Sequence, residues 1–285
     1  MDKIIISMAG SCGNQMFSYA FGYALAMKKQ CDLYIETTTQ DNGLTRNFEM
    51  DAFDLKYKGR ITWKYKKNFV ERILLNKIRR KSKIGFSTKI YSEKHSTVFE
   101  PQVFEQSRNT YFIGNWQSEK YFSEYRNDIL TLFTPKQLSP QTKQLALNMK
   151  QENSISVHIR RGDYLKVGCA VSMDYYDKAI QNIIEIVENP VFYIFSDDLD
   201  FCKTYFSRYK NLDIQYPESK MFNPVIEDMY LMSCCKHNIM ANSSYSWWGA
   251  WLNRNPIKYV ICPELDMWTG DFYPEDWIKI KTNIA

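Results

Sequence analysis

Seven residues, His158-Ile159-Arg160-Arg161-Gly162-Asp163-Tyr164, put two arginines, a histidine and an aspartate at one sharp break in the chain. They follow the β-branched run Ile155-Ser156-Val157, which reads as a buried strand ending at Gly162. Ligands of open α/β sheets gather at the carboxyl ends of strands, and the planar fork of arginine suits a phosphate or pyrophosphate. From these residues alone, an Arg–Asp ion pair closing a surface turn is the bland alternative. The Arg-Gly-Asp triplet abuts a buried strand, which argues against an adhesion role.

Three further constellations carry polar chemistry. Gly10-Ser11-Cys12-Gly13-Asn14-Gln15 lies between a strand and a helix, without the glycine spacing of a dinucleotide fingerprint. Such a turn feeds a helix N-terminus that favours anions, and Asn14 and Gln15 are placed to hold a sugar or phosphate. An Asn cap on the turn is the equal alternative. Phe195-Ser196-Asp197-Asp198 ends a later strand. Ser196, Asp197 and Asp198 there suit a divalent metal or hydrogen bonds to a base or ribose, while helix capping by one aspartate is the structural alternative. Asn242-Ser243-Ser244-Tyr245-Ser246-Trp247-Trp248 sits at a strand-to-helix junction. Ser243, Ser244 and Ser246 offer hydroxyls and free amides to phosphate oxygens, and the tryptophans read as core.

The elements that position these groups alternate. Residues 3–7 predict a strand, 14–29 an apolar-faced helix and 31–35 a second strand, an opening that implies parallel pairing. Residues 37–117 read poorly, apart from a strand near 111–113, and 118–133 predict a helix. After the prolines at 135 and 140 come strands at 155–159, 191–195, 237–241 and 258–262. Helices are predicted over 173–187, 199–209, 224–235 and 243–253, with Pro224 suited to a helix start. The expected fold is α/β, with two Rossmann-like domains over 1–145 and 146–285 facing across a cleft.

Composition sets outer bounds. The 285 residues are 45% hydrophobic and 24% charged, ordinary for a globular protein with a sizeable core. Seven scattered cysteines without ligand or disulfide spacing, and a start that enters a strand without an apolar signal region, point to a reducing, cytosolic setting. No apolar window is long enough to span a membrane. The net charge of +5 is concentrated between Lys56 and Lys83, where apolar residues interleave with the cations. A solvated helix is the plain reading. Peripheral contact with an anionic membrane is the functional one, and nucleic acid, with no recognisable binding motif, is not expected as a partner.

The four constellations, in this order, resemble the motifs of bacterial α-1,2-fucosyltransferases, glycosyltransferase family 11. The resemblance runs from Ile6 to about Asn253 and departs from the common pattern at Ser11-Cys12 and Ser18. It implies transfer of L-fucose from GDP-fucose to the 2-hydroxyl of a terminal galactose, with inversion. It also implies a GT-B type fold whose C-terminal domain holds GDP-fucose and whose N-terminal domain takes the acceptor. By the resemblance Arg160 grips the pyrophosphate, Arg161 and Asp163 support it, and no metal or other cofactor is needed. His158 and Asp163 are base candidates that also read as orienting groups, and an acid from the N-terminal half is a further candidate. A transferase using a different nucleotide sugar, or a glycan- or nucleotide-binding protein without turnover, are the alternatives. The implied location is cytoplasmic, with peripheral contact at the inner face of the bacterial membrane.

Overall fold

The computed structural model describes residues 2–40, 48–65, 89–217, 222–266, 268 and 270–285. The chain divides into two compact units, residues 1–134 with 270–272 and residues 135–269 with 273–285. The break falls before Pro135, ahead of the expected 145/146 boundary, because the helix Pro140–Gln151 is tied into the second unit. Its N-cap Ser139 donates its backbone N–H (3.0 Å) and its hydroxyl (2.7 Å) to buried Glu227.

The first unit is a parallel sheet of β1 (Lys3–Met8), β2 (Asp32–Gln40), β3 (Gly59–Tyr65), β4 (Lys89–Ser92) and β5 (Thr110–Ile113), ordered β3-β2-β1-β5-β4. The helix Cys12–Lys29 crosses from β1 to β2. Gly22 lets it lie on the sheet, since a Cβ there would stand 2.5 Å from Ile6. The helix ends at Gln30 in the left-handed region, with Lys28 and Lys29 in the last turn, where cations suit the dipole. The helix expected over 118–133 is instead two 3-10 turns, Glu119–Tyr121 and Ser123–Tyr125, followed by the short helix Arg126–Leu132. The buried Tyr121 ring packs against Phe21 and Trp116 and turns the chain at that point. Residues 270–272 join this unit through Asp271, which accepts the Phe99 amide at 2.8 Å and pairs with Lys120 at 2.6 Å.

The second unit is a parallel sheet of β6 (Ser154–Ile159), β7 (Val191–Ser196), β8 (Asp213–Gln215), β9 (His237–Ile239), β10 (Val260–Glu264) and β11 (Ile278–Lys281). Its order is β11-β10-β9-β6-β7-β8. Counted from β6, this is the 3-2-1-4-5-6 winding of a dinucleotide-binding sheet, with the reversal between β6 and β9. Two Rossmann-like α/β units are therefore present, as expected. The expected helices occur as Met173–Ile186, Leu199–Phe206, Pro224–Cys234 and Ser244–Trp251, and the sequence reading missed the short helix Gly162–Lys166. Trp247, Trp248 and Trp251 are buried core residues. Gly249 brings the last helix against Met232, which would meet an added Cβ at 3.0 Å.

The basic stretch 56–83 lies outside the described residues from 66 onward. Among the described residues no helix is long and apolar enough to cross a membrane. All seven cysteines are free thiols.

Glu227 joins two helix starts, because its other oxygen accepts the Phe222 and Asn223 amides at 2.7 and 3.1 Å. Burial alone would raise its pKa, but hydrogen bonds from Thr142, Ser139 and Asn223 outweigh that and hold it at about 2, below the ordinary 4.5. A depressed carboxylate pKa gives stability that is present above the unfolded value and lost as pH falls through the folded one. Denaturation of the wild type should therefore show a loss between about pH 4.5 and 2 that is absent from Glu227→Ala. At neutral pH that variant should be less stable by roughly 2–3 kcal/mol, read from urea midpoints.

Candidate active site

Arg160 is the first residue beyond β6. Its Nη2 pairs with Asp163 at 2.8 Å and its Nη1 with Asp197, at the end of β7, at 2.9 Å. The guanidinium also stands 5.6 Å from the Tyr164 ring centre. Asp197 in turn accepts the backbone amides of Arg161 (2.9 Å) and Gly162 (3.2 Å). That cradle requires glycine, because a Cβ at 162 would lie 2.7 Å from the Asp197 carboxylate. The sharp break seen in the sequence is thus a place where a strand end wraps a neighbouring carboxylate.

Arg161 points into different company. Its Nε pairs with Asp198 at 3.0 Å and its guanidinium lies 3.3 Å from the centre of the Phe201 ring. Asp198 also caps the helix Leu199–Phe206 by accepting the Phe201 amide, and Ser196 accepts the Asp198 amide at 3.0 Å. The capping alternative is therefore what Asp198 does. Both aspartates are engaged by arginine and amide donors. Among the described residues no group of three or more His, Cys, Asp or Glu side chains has metal-binding geometry.

The end of β9 supplies the other flank. The Ser246 hydroxyl accepts the Ala241 amide at 3.1 Å and pairs with Nδ1 of His158 on β6. Burial, then the Arg160 cation, push the imidazole down to about 4 against the weaker pull of Asp197. His158 is thus neutral at pH 7 and orients the junction of the two strands. Ser243 caps the helix Ser244–Trp251, and the Tyr164 hydroxyl donates to the Asn242 carbonyl at 3.4 Å. Asn242 Nδ2 donates to the Cys169 carbonyl at 2.9 Å, while its buried Oδ1 has no hydrogen-bond partner among the described residues. The helix N-terminus, positive in potential, thus stands beside the arginine-bearing strand end at the sheet's switch point.

Asn14 and Gln15 belong to the first unit and form a separate cluster there. Gln15 is buried with both ends of its amide engaged, Nε2 donating to the Gly10 carbonyl (2.9 Å) and Oε1 accepting the Glu49 amide (3.0 Å). Glu49 returns the tie by accepting the Cys12 amide at 2.7 Å, so Gln15 organises the loop from within instead of facing a ligand. Asn14 accepts from Gln117 Nε2 at 2.9 Å and remains partly exposed. The sequence reading placed Tyr164 and Asn242 inside their motifs without a role of their own, and it passed over Asp228. Asp228, in the helix Pro224–Cys234, is raised to about 7 by burial and then by Glu227. An acid inside an apolar helical run was the available signal.

A family model described as glycosyl transferase family 11 matches residues 3–281. The chain is 34% identical to an alpha-1,2-colitosyltransferase of Escherichia coli, covering 99% of this chain and all of that one. It is 31% identical to the O-antigen biosynthesis glycosyltransferase WbnK of Escherichia coli, covering 90% and 92%. Among solved structures it resembles POFUT1 in complex with GDP, with a TM-score of 0.52 at 12% identity over 92% of this chain and 98% of that one. That likeness bears on the fold, the GT-B type.

Gly162→Ala should force a methyl group against Asp197 and loosen the β6–β7 strand ends. The expected cost is about 1–3 kcal/mol in urea denaturation, and an unchanged midpoint would show that the cradle has slack.

Proposed function

The chain belongs to glycosyltransferase family 11, and from that premise we propose that it transfers L-fucose from GDP-fucose to the 2-hydroxyl of a terminal galactose, inverting the anomeric carbon. The observation that supports this most is the position of Arg160, a cation beyond β6 whose neighbour across the switch point is the N-terminus of the helix Ser244–Trp251. As the glycosidic bond breaks, the diphosphate gains negative charge. Fixed donors aimed at that charge stabilise the transition state more than the ground state. Arg160 engages two carboxylates through its terminal nitrogens, which leaves Nε and further N–H donors of the fork for phosphate oxygens. Ser243 and Ser244 add hydroxyl and amide donors. Arg161, Asp163, Asp197 and Asp198 hold the arginines in direction, and Ser196 and Ser246 hold the turns. His158, neutral and buried, is a positioning residue. In this reading the second unit takes the donor, and the first unit, through Asn14, takes the acceptor glycan.

A second donor has a specific observation in its favour. The 34% identical relative is named a colitosyltransferase, and colitose is the 3-deoxy counterpart of L-fucose. Both sugars would leave behind the same diphosphate, so the arginine cluster does not choose between them. Incubating the protein with a β-galactoside and either GDP-fucose or GDP-colitose distinguishes the two by the product formed.

Arg160→Ala should lower kcat/KM for the donor by about 100-fold or more while the melting temperature stays close to wild type. Near-normal turnover in that variant would remove Arg160 from the leaving group. Because side chains and amides supply the positive charge, turnover should also survive EDTA, and strong inhibition would reassign Asp197 and Asp198 to a metal.

A further inference from the structure

Asn242 lies between β9 and Ser243, the N-cap of the helix Ser244–Trp251. It is 1% exposed, and its Oδ1 is shut off from solvent with no hydrogen-bond partner among the described residues. A buried acceptor left unpaired forfeits its hydration without return, so such atoms are rare and point to a missing donor. The two ends of the amide cannot be exchanged to mend this. Nδ2 donates to the Cys169 carbonyl at 2.9 Å, and a reversed amide would set oxygen against oxygen there.

The other buried asparagines among the described residues, Asn238 and Asn253, show what a completed amide looks like. Asn238 Nδ2 donates to Ser156 and to the Met232 carbonyl, and its Oδ1 accepts Asn253 Nδ2 at 2.8 Å. Asn253 Nδ2 also donates to the Cys235 carbonyl, and its Oδ1 accepts the Asn255 amide at 2.8 Å. Asn238 lies within β9 and Asn253 beyond the far end of the helix. The incomplete amide is the one at the switch point.

Both polar contacts of Asn242 run to the segment that follows Arg160. Nδ2 reaches Cys169, and the backbone carbonyl accepts the Tyr164 hydroxyl. The amide therefore bridges the arginine-bearing turn and the serine-bearing helix start. At 3.4 Å the Tyr164 bond is long for a hydroxyl donor, and Tyr164 is only partly buried, so this contact has room to yield. Phosphate oxygens accept hydrogen bonds, so a diphosphate held by Arg160 and the helix amides would leave Oδ1 unpaired. A nucleotide sugar carries the needed donors on either side of that diphosphate, as hydroxyls of the ribose and of the hexose.

We propose that Asn242 Oδ1 accepts a hydroxyl of the bound nucleotide sugar, so that this asparagine selects the donor whose diphosphate Arg160 holds. The assignment rests on the glycosyl-transfer reading above. Tyr164 gives way as the hydroxyl enters. An analogue lacking that hydroxyl is refused, because it leaves the buried acceptor unpaired.

The probes are GDP with its 2′-deoxy and 3′-deoxy ribose forms, read as Kd by calorimetry, and GDP-fucose with forms deoxygenated at C2, C3 or C4 of the hexose, read as donor kcat/KM. The C3 form is GDP-colitose. In the wild type one deoxy form should lose about 10-fold or more against its parent. In Asn242→Ala the same form and its parent should differ by less than about 3-fold, since the partner of that hydroxyl is gone. A ribose form singled out in this way places the hydroxyl on the nucleoside, and a hexose form places it on the transferred sugar. A wild-type series in which every deoxy form matches its parent, or a loss that persists undiminished in Asn242→Ala, would overturn the assignment. If the alanine variant does not fold, the wild-type series decides: a flat one overturns the proposal and a single penalised form upholds it. A wild type that neither binds GDP nor turns over any GDP-sugar would sink the transfer reading and this proposal together. Transfer from GDP-fucose with a flat deoxy series would sink the part of Asn242 alone.

Discussion

Two arginines side by side at a strand end repel each other and give up water, and a single direction for either requires fixed anions. Asp163, Asp197 and Asp198 supply them. Asp197 is the central one, because it binds Arg160 while two backbone amides hold it in place. Much of the local sequence follows from that demand. Gly162 must lack a side chain for the amides to close on Asp197, and Phe201 gives the Arg161 guanidinium a face to stack on. A surface ion pair would contribute little. Here the pairs are partly shielded and bridged to backbone, so they fix geometry rather than add a large stability.

The winding of the sheet then decides what these cations meet. With β6 and β9 adjacent and the order reversing between them, the arginine-bearing turn and the serine-bearing helix start emerge side by side. Three cross-ties hold the two turns together: His158 to Ser246, Tyr164 to Asn242, and Asn242 to Cys169. The first joins Nδ1 of a buried ring to a hydroxyl that also accepts the Ala241 amide. Burial and the nearby Arg160 cation both keep the imidazole neutral, so the arginine helps to set the state of its own support.

Legibility in the sequence tracked burial. The strands β6 and β7 and their helices were readable because Ile155, Val157, Phe192 and Ile194 fill one core, which the sequence records as an apolar alternation in β6 and a continuous apolar run in β7. The strands β4, β8 and β11 are short and largely exposed, and their residues carry little periodic signal. The site was readable where a motif compresses it, from His158 to Tyr164. Contacts between distant residues were unreadable. Glu93 meets Asn115 and Trp116 across a loop, and Asp271 meets Phe99 from far along the chain. Gln15 shows the opposite failure: an amide beside a helix start looked ligand-facing, but its partner Glu49 lies in a stretch that gave no readable pattern.

His158 and Glu93 illustrate how one force yields two kinds of group. Burial disfavours charge on both. For an imidazole this lowers the pKa to about 4, below the working range, and leaves a fixed neutral hydrogen-bonding ring. For a carboxyl it raises the pKa to about 7, where the proton is gained and lost with little bias. A group poised in that way is effective at accepting a proton and releasing it again, whereas an imidazole held near 4 is a poor acceptor at neutral pH. The histidine beside the arginines is therefore a poor base at neutral pH despite its residue type, and its part is that of a fixed hydrogen-bonding ring held by Ser246.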